Sequence, residues 1–161
     1  MRPVDYKVVM LNDIYNQKIL AFAADIPRHH RLDDPDGTAT VISKLCGSKV
    51  TVDVRLDGDR VSDFGHEVKA CALGQASSSI MARHVVGSSI AELRALREQM
   101  YKMLKEGGPA PDGKWADLQA LEPVRDFKAR HASTLLTFDA VVAAIDKALA
   151  ARAEARAVPA E

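Results

Sequence analysis

Apolar residues near the start of the chain recur at the spacing of a helix. In the stretch DYKVVMLNDIYNQKILAFAA, residues 5–24, the side chains that share one face are Val8, Leu11, Ile14, Ile19 and Phe22. A repeat of three to four residues is typical of an amphipathic helix, so the pattern predicts an N-terminal helix over residues 5–24. The segment that follows, DIPRHHRLDDPDG, ends this helix with its prolines and its glycine.

Two segments of alternating polarity predict a β-hairpin. Residues 50–56 alternate valine or leucine with polar side chains, and residues 64–68 alternate in the same way. The DGD sequence at 57–59 between them is a turn signal. Residues 38–45, TATVISKL, predict a third strand that precedes the hairpin.

The apolar residues also predict the register of the hairpin. Pairing Val52 with His66 keeps the apolar side chains of both strands on one face and leaves a three-residue loop at 58–60. A shift of one residue would mix the two faces, because side chains alternate along a strand. A bulge near Gly65 is an alternative irregularity in this hairpin.

The pattern becomes helical after the hairpin. A segment rich in small residues predicts a helix over residues 72–87, which ends at a glycine. The next segment, IAELRALREQMYKMLKE, follows Ser88 and Ser89, either of which is a suitable N-cap. Its helix stops at Gly107.

The last third of the chain adds two more helices and completes the predicted fold. WADLQALEPVRDF predicts a short helix broken before Pro123, and residues 132–157 predict a long C-terminal helix. We expect one α+β domain over residues 1–150, in which a small antiparallel sheet is packed by helices. The alanine-rich tail, residues 151–161, is expected to fray.

Composition and charge narrow the function classes. The 161 residues include 22 lysines and arginines against 22 aspartates and glutamates. This balance argues against a nucleic-acid binder or a polybasic membrane anchor. No apolar run approaches the roughly 20 residues that cross a membrane, and the first residues lack the apolar block of a signal peptide. We therefore expect a cytoplasmic protein with no nucleic-acid and no membrane partner.

The only two cysteines, Cys46 and Cys71, flank the predicted hairpin. Extending its register places both thiols at the same end of the hairpin. Cys71 directly precedes a predicted helix, whose free N–H groups and dipole favour a thiolate. The pair is a candidate for metal or sulfur chemistry, and small buried side chains are the alternative interpretation.

The remaining polar residues give weaker signals. His66 lies in the apolar phase of its strand and is interpreted as a core histidine with one satisfied nitrogen. The RHHR sequence at 28–31 lacks a third metal partner and is interpreted as a solvated loop that is able to contact an acidic partner. No nucleophile elbow, Walker loop or dinucleotide-binding glycine pattern is present.

Several segments together resemble the U-type iron–sulfur cluster scaffold family, the NifU-, IscU- and SufU-like proteins. They are IYNQKILAFAADIPR, CGSKVTVDVRLDGDRVSDF, CALGQASSSIM and DLQALEPVRDFKARHASTLLTFDAV. The resemblance covers roughly residues 10–149, and the spacing from Cys46 to Cys71 is similar to the family's. It implies the scaffold fold of that family, with an N-terminal helix and a long C-terminal helix.

The sequence departs from the family at two ligand positions. Family members present three cysteines and one aspartate around a single site. The aspartate's place falls on Ser48, and an ungapped match puts the third cysteine's place on Ser133. A match with one gap puts His131 there instead. Imidazole binds iron or zinc and a hydroxyl rarely does, so His131 is the preferred third ligand and Ser133 a spectator.

Three interpretations of the incomplete site stay open. Cys46, Cys71 and His131 form a metal site with an open fourth position. Alternatively, two chains form a homodimer that shares one cluster through four thiolates. In the third interpretation the site is partly lost, and the protein binds assembly partners without building clusters.

The resemblance also implies a function. It predicts a scaffold or accessory protein that accepts sulfur from a cysteine desulfurase, binds iron or a nascent iron–sulfur cluster, and passes it to a carrier or apo-protein. This is carrier chemistry more than enzymatic turnover. The alternatives are a zinc-dependent sulfurtransferase of the SufU type and a non-metal-binding interaction module that keeps the fold.

Overall fold

Three strands form one antiparallel sheet in the computed structural model, which describes residues 16–157. Strands β1 (Gly37–Ile42), β2 (Lys49–Asp57) and β3 (Arg60–Lys69) lie side by side in that order. Alternate side chains of β2 are fully buried on one face, as the alternating pattern predicts. The predicted α+β architecture with a small antiparallel sheet is confirmed.

The hairpin register agrees with the sequence prediction over most of its length. Val52 pairs with His66, as predicted. The predicted three-residue loop and the bulge near Gly65 are wrong. Asp57 pairs with Arg60, which leaves a two-residue turn, and the irregularity lies between Arg55 and Leu56. A left-handed glycine, Gly58 with φ 62°, makes the tight turn feasible, and the bulge absorbs the one-residue shift that this turn creates.

Four α-helices and two 3₁₀ segments complete the described fold. They are α1 (Gln17–Ala24), α2 (Ala72–His84), α3 (Ile90–Glu106), the 3₁₀ segments Gly113–Asp126 and Lys128–Arg130, and α4 (His131–Ala157). Helix α4 packs on β1 and β2 and contacts both α2 and α3. None of the helices within residues 16–157 is long and apolar enough to cross a membrane.

Three helix predictions need correction. The helix predicted over 5–24 does not run through Asn16, whose backbone is extended and whose side chain accepts a hydrogen bond from the N–H of Ile19. Residues 1–15 lie outside the described residues. Helix α2 ends at His84, before the left-handed Gly87 with φ 91°. The helix predicted to break before Pro123 is a 3₁₀ segment that continues through it.

Both ends of α3 agree with the prediction, and α4 is the predicted long C-terminal helix, which begins one residue earlier, at His131. Ser89 is the N-cap of α3 and accepts a hydrogen bond from the N–H of Glu92 at 3.0 Å. Gly107, with φ 68°, ends the helix. Helix α4 is continuous to Ala157, with residues 153–157 exposed, so fraying of the tail stays a prediction.

Residues 28–31 of the RHHR loop are exposed, as predicted, and the loop is also docked on the sheet. The carbonyl oxygen of Arg28 accepts from the N–H of His66 at 3.3 Å, and Nε2 of His29 accepts from the N–H of Val68 at 3.2 Å. A side chain on Gly65 would meet the carbonyl oxygen of His30, at 2.4 Å from its Cβ. The loop therefore covers the free edge of β3, a packing role that the polar sequence RHHR does not reveal.

A buried carboxylate also anchors this loop, on the face of the sheet where Gly65 lies. Asp53, which has no exposed surface, accepts from Nε and Nη2 of Arg31 at 2.6 and 3.1 Å, from the N–H of Leu32 at 2.9 Å and from the hydroxyl of Thr38 at 2.5 Å. Burial alone would raise the pKa of Asp53, but these hydrogen bonds outweigh it and the pKa lies below its usual 3.8. This stabilisation is present at neutral pH and is lost as the pH falls through the folded-state pKa.

His66 is a core histidine, as predicted. Its ring is fully buried, and Nε2 donates to the carbonyl oxygen of Pro27 at 2.9 Å. The other nitrogen, Nδ1, has no protein partner among the described residues. Burial, which penalises the charged ring, lowers the pKa of His66 to about 4.

We predict that Asp53→Asn destabilises the fold by about 2–4 kcal/mol, because the amide places N–H groups or a neutral oxygen against the Arg31 guanidinium. Urea unfolding at neutral pH measures the change. Asp34→Asn is the matched control, since Asp34 is almost fully exposed and lies 3.8 Å from Arg55, and its effect stays within about 0.5 kcal/mol. Equal effects of the two variants would contradict a central role for Asp53.

We predict that the buried His66 makes the fold less stable at acid pH. The folded ring stays neutral down to about pH 4, whereas the unfolded chain takes up the proton near 6.5. Stability should therefore fall by about 3 kcal/mol as the pH drops through this window. Unfolding titrations should show a flatter profile for His66→Gln. An equally steep loss of stability in His66→Gln would contradict the prediction.

Candidate functional site

Both cysteines lie beyond the same end of the sheet. The strand pairing ends where Ile42 pairs with Lys49 and Lys49 pairs with Lys69. Cys46 follows in the turn between β1 and β2, and Cys71 follows β3 as the N-cap residue of α2. Both thiols are free. The fold thus brings the two segments that contain the cysteines out of the sheet on one side.

The Cys46 thiol is exposed and lies between two hydroxyls. Its Sγ is 3.4 Å from Oγ of Ser43 and 3.1 Å from Oγ of Ser48. The thiol donates to a hydroxyl, whereas the thiolate accepts from both. Hydrogen bonds with Ser43 and then with Ser48 lower the pKa of Cys46 below its usual 9.0. Cys46 is therefore an accessible thiol in surroundings that favour its nucleophilic form.

The Cys71 thiol is half-buried against the first turn of α4. Its Sγ lies 3.3 Å from Oγ of Ser133, and that hydroxyl donates to the carbonyl oxygen of Arg130 at 3.2 Å. Gly74 allows α2 and α4 to approach closely. A Cβ there would lie 3.1 Å from the carbonyl oxygen of Ser133 and 2.7 Å from Cβ of Ala70.

Each predicted ligand-replacement serine lies beside a cysteine. Ser48 contacts Cys46 and Ser133 contacts Cys71, and both serines are almost fully buried. The sequence did not indicate Ser43, the second hydroxyl at Cys46. Its only signal is the three-residue spacing from Cys46, which brings the two side chains together only when the chain forms a turn.

The predicted third ligand, His131, is engaged elsewhere. The residue is 5% exposed, and Nε2 of its ring lies 3.1 Å from the carbonyl oxygen of Val124 and 3.0 Å from that of Arg125. Because residues two apart on an α-helix point about 200° away from each other, His131 and Ser133 project from different sides of α4. In this conformation Ser133, and not His131, is beside Cys71.

The described part of the chain does not assemble a complete metal site. No group of three or more histidine, cysteine, aspartate or glutamate side chains within residues 16–157 is placed to hold a metal ion. A structural zinc ion needs four such ligands and a catalytic zinc ion needs three. Two thiols with serine hydroxyls beside them instead suit sulfur chemistry, or the partial ligation of a metal that others complete.

Comparison with known proteins identifies the family of this fold. The NifU-like N-terminal domain family matches residues 14–147. The chain belongs to this family. A crystal structure of a NifU-like protein (N-terminal) from Brucella abortus has a TM-score of 0.86 and 60% sequence identity, and it covers 88% of this chain and 98% of its own. These findings confirm the resemblance and the fold predicted from the sequence.

Two curated relatives extend the comparison. An iron–sulfur cluster assembly scaffold protein IscU from Thermotoga maritima is 27% identical and covers 83% of this chain and 94% of its own length. A zinc-dependent sulfurtransferase SufU from Bacillus subtilis is 25% identical, and the match covers 85% of this chain and 92% of the relative. The family therefore includes relatives named for scaffold function and one named for zinc-dependent sulfur transfer.

We predict that Cys46 is alkylated faster than Cys71 by iodoacetamide, because it is more exposed and its thiolate accepts two hydrogen bonds. Ser48→Ala should slow the reaction of Cys46 about two- to fivefold near pH 7, since losing one donor raises its pKa. The alkylation rates of Cys46 in the wild type and in Ser48→Ala should converge at high pH, where the Cys46 thiol is ionised in both proteins. Peptide mass spectrometry measures both cysteines, so Cys71 is the internal control, and an unchanged pH profile would refute the role of Ser48.

Proposed function

We propose that this NifU-like chain is a scaffold or accessory protein of iron–sulfur cluster assembly that accepts sulfur and carries iron or a nascent cluster as cargo. A cysteine desulfurase is the sulfur donor, and a carrier or apo-protein is the acceptor of the cargo. The scaffold relatives and the match over residues 14–147 support this assignment. In this proposal the protein holds sulfur and cargo on its thiols, which is carrier chemistry more than enzymatic turnover.

The pair of thiols is the observation on which the proposal rests. Cys46 and Cys71 are free, lie beyond one end of the sheet and differ in exposure. An exposed thiol is able to meet the reactive group of a donor. A half-buried thiol is better protected from solvent and is suited to holding what has been transferred.

Cys46 is the proposed sulfur acceptor. Its thiolate attacks the terminal sulfur of the donor's cysteine persulfide, a new S–S bond forms at Cys46, and the donor's S–S bond breaks. The donor cysteine leaves as a thiolate, so the step is an exchange of sulfur between two thiolates with no external oxidant or reductant. The hydroxyls of Ser43 and Ser48 assist by stabilising the attacking thiolate.

Iron or the nascent cluster is cargo in this proposal, held by Cys46 and Cys71. Two thiolates are half of the usual four-cysteine ligation of an iron–sulfur cluster. The missing ligands then come from a second copy in a homodimer or from the acceptor protein. A contribution from His131 requires that Nε2 leave the carbonyl oxygens that it now contacts. We therefore assign the cargo to the thiols alone.

A zinc-dependent sulfurtransferase is the second candidate function, favoured by the similarity to the SufU protein of Bacillus subtilis. The residues of this chain do not fit a resident zinc ion. The described site supplies two thiols and serine hydroxyls, and hydroxyls rank far below thiolate, imidazole and carboxylate as zinc ligands. We therefore derive no step through zinc.

Anaerobic sulfur transfer from a cysteine desulfurase and L-cysteine, followed by addition of ferrous iron and dithionite, tests the proposal. Before reduction we expect added sulfur on Cys46 by mass spectrometry. Dithionite then supplies the electrons that convert persulfide sulfur to sulfide, and with iron we expect a sulfide-to-iron charge-transfer absorbance band. Cys46→Ser should abolish sulfur uptake, and Cys71→Ser should abolish the band while Cys46 still takes up sulfur. Metal-to-protein ratios complete the measurement.

His131→Ala is the matched control, because it alters the same turn of α4 without removing a thiol. The variant should retain the charge-transfer band. Loss of the band in His131→Ala would support His131 as a ligand. Stoichiometric zinc in the purified wild type, removed by Cys71→Ser, would favour the sulfurtransferase. No sulfur uptake and no bound metal in any state would refute both functions and leave the interaction module.

A further inference from the structure

The two edges of the three-stranded sheet differ in what covers them. At the β3 edge, the N–H groups of His66 and Val68 bond to the loop at residues 28–31. The β1 edge has no such cover within residues 16–157, because no backbone hydrogen bond outside the β1–β2 ladder involves residues 38–42. The β1 edge is therefore open to another extended chain.

The register of the sheet identifies the backbone groups that face outward on β1. His66 directs its N–H away from β2, so its partner Val52 directs its own backbone groups toward β1. There Val52 pairs with Ala39, and alternation along the strand turns the backbone groups of every second residue to the open side. The outward-facing residues are Thr38, Thr40 and Ile42.

The open edge lacks the features that usually prevent strand pairing. The strand GTATVI contains no charged residue and no proline, and its pairing with β2 continues without a bulge. Thr40 and Ile42 are exposed, Ile42 to 57%. Natural edge strands commonly carry a lysine, a proline or a bulge that blocks a further strand. This edge is therefore suited to accept one.

We infer that β1 pairs antiparallel with β1 of a second copy of this chain, about a two-fold axis at Thr40. In this register Thr40 faces Thr40 of the second copy, and on either side Thr38 faces Ile42. Each of these three pairs exchanges two backbone hydrogen bonds. Sliding one strand by two residues in either direction would leave only two such pairs, so the register centred on Thr40 uses every outward group.

The side chains of the strand complement themselves in the same register. On the face that packs against α4, the half-buried Val41 of each copy lies opposite Ala39 of the other. On the other face, the exposed Asp36 of each copy lies opposite the exposed Lys44 of the other. Asp36 also accepts from the N–H of Leu56 at 2.8 Å, which holds its carboxylate at the end of the strand. Opposite charges across strands stabilise a sheet, so this complementarity favours a second copy as the occupant.

The pairing keeps the thiols of the two copies apart. Antiparallel strands direct their cysteine ends in opposite directions, and Ser43, which contacts Cys46, lies three residues from the axis at Thr40. At about 3.3 Å per residue, the two Cys46 thiols lie on the order of 20 Å apart along the strands. This dimer therefore carries two separate sites and does not gather four thiolates around one cluster. Within the proposed function, the acceptor protein then supplies the missing ligands.

Self-association of the full chain, free of metal and of added sulfur, tests the inference separately from the proposed function. Analytical ultracentrifugation between roughly 5 and 200 μM should show a reversible dimer. Thr40→Pro removes the N–H groups at the axis but no bond of the β1–β2 ladder, and it should weaken association about tenfold or more. Thr40→Val keeps the N–H and is the matched control, which should associate within about threefold of the wild type.

Thermal melting and a second variant separate loss of pairing from loss of the fold. Proline is tolerated in an edge strand where its N–H would face outward, so Thr40→Pro should melt within about 5 °C of the wild type. Lys44→Glu changes an exposed turn residue, places a carboxylate opposite Asp36 of the second copy and should weaken association about two- to fivefold at low salt. Lys147→Glu, which makes the same charge change on an exposed part of α4, should leave association unchanged.

Disulfide cross-linking tests the register directly. In a Cys46→Ser/Cys71→Ser background, Thr40→Cys should form a covalent dimer with oxidised glutathione, since the Cα atoms of a hydrogen-bonded cross-strand pair lie about 5.5 Å apart. Leu20→Cys, on α1 and 48% exposed, is the control for random collision and should remain largely monomeric.

Several outcomes would overturn the inference. They are a wild-type protein that stays monomeric over the whole concentration range, association that survives both Thr40→Pro and Lys44→Glu, and cross-linking of Leu20→Cys as complete as that of Thr40→Cys. Association that appears only with bound iron and is lost in Cys46→Ser/Cys71→Ser would assign the dimer to a shared cluster, and would overturn the inference as well.

Discussion

Backbone contact at two glycines fixes the position of the long helix on which the rest of the molecule is arranged. Near the C-terminal half of α4, a Cβ on Gly37 would lie 2.1 Å from the carbonyl oxygen of Ala144. At its first turn, a Cβ on Gly74 would press on the backbone of Ser133. A side chain at Gly37 would push α4 away from β1, and one at Gly74 would require the backbone of Ser133 to shift slightly. The contact between Cys71 and Ser133 lies at the second of these approaches.

The two serines bear on the chemistry of the thiols beside them. The sequence resemblance predicts an aspartate at the position of Ser48, and a negative charge next to Cys46 would oppose formation of a thiolate. The hydroxyl of Ser48 is able to donate to that thiolate instead. At the other thiol, the hydroxyl of Ser133 lies beside Cys71 and donates a hydrogen bond to a backbone carbonyl.

The alternation of apolar and polar residues predicted the features that depend on strand geometry. Alternation was enough to pair Val52 with His66, because a slip would have exposed the apolar face. The cysteines followed from the same register. The residue of α4 that lies beside Cys71 did not follow from the sequence, since alignment of His131 or Ser133 with the family differs by one gap, whereas each residue along α4 turns the side chain by about 100°. The docking of Arg28 and His29 on β3 was also beyond the sequence, because polar loops carry no periodic signal of what they cover.

The loop that covers the edge of β3 has a consequence for how the molecule behaves in a crowded solution. An open strand edge offers N–H and carbonyl groups to any other extended chain, which is the usual beginning of aggregation through sheets. Here the carbonyl of Arg28 and the ring of His29 occupy N–H groups along that edge. The RHHR segment thereby removes two sites at which another extended chain would pair with this strand, in a protein that also exposes Leu45 and Ile42.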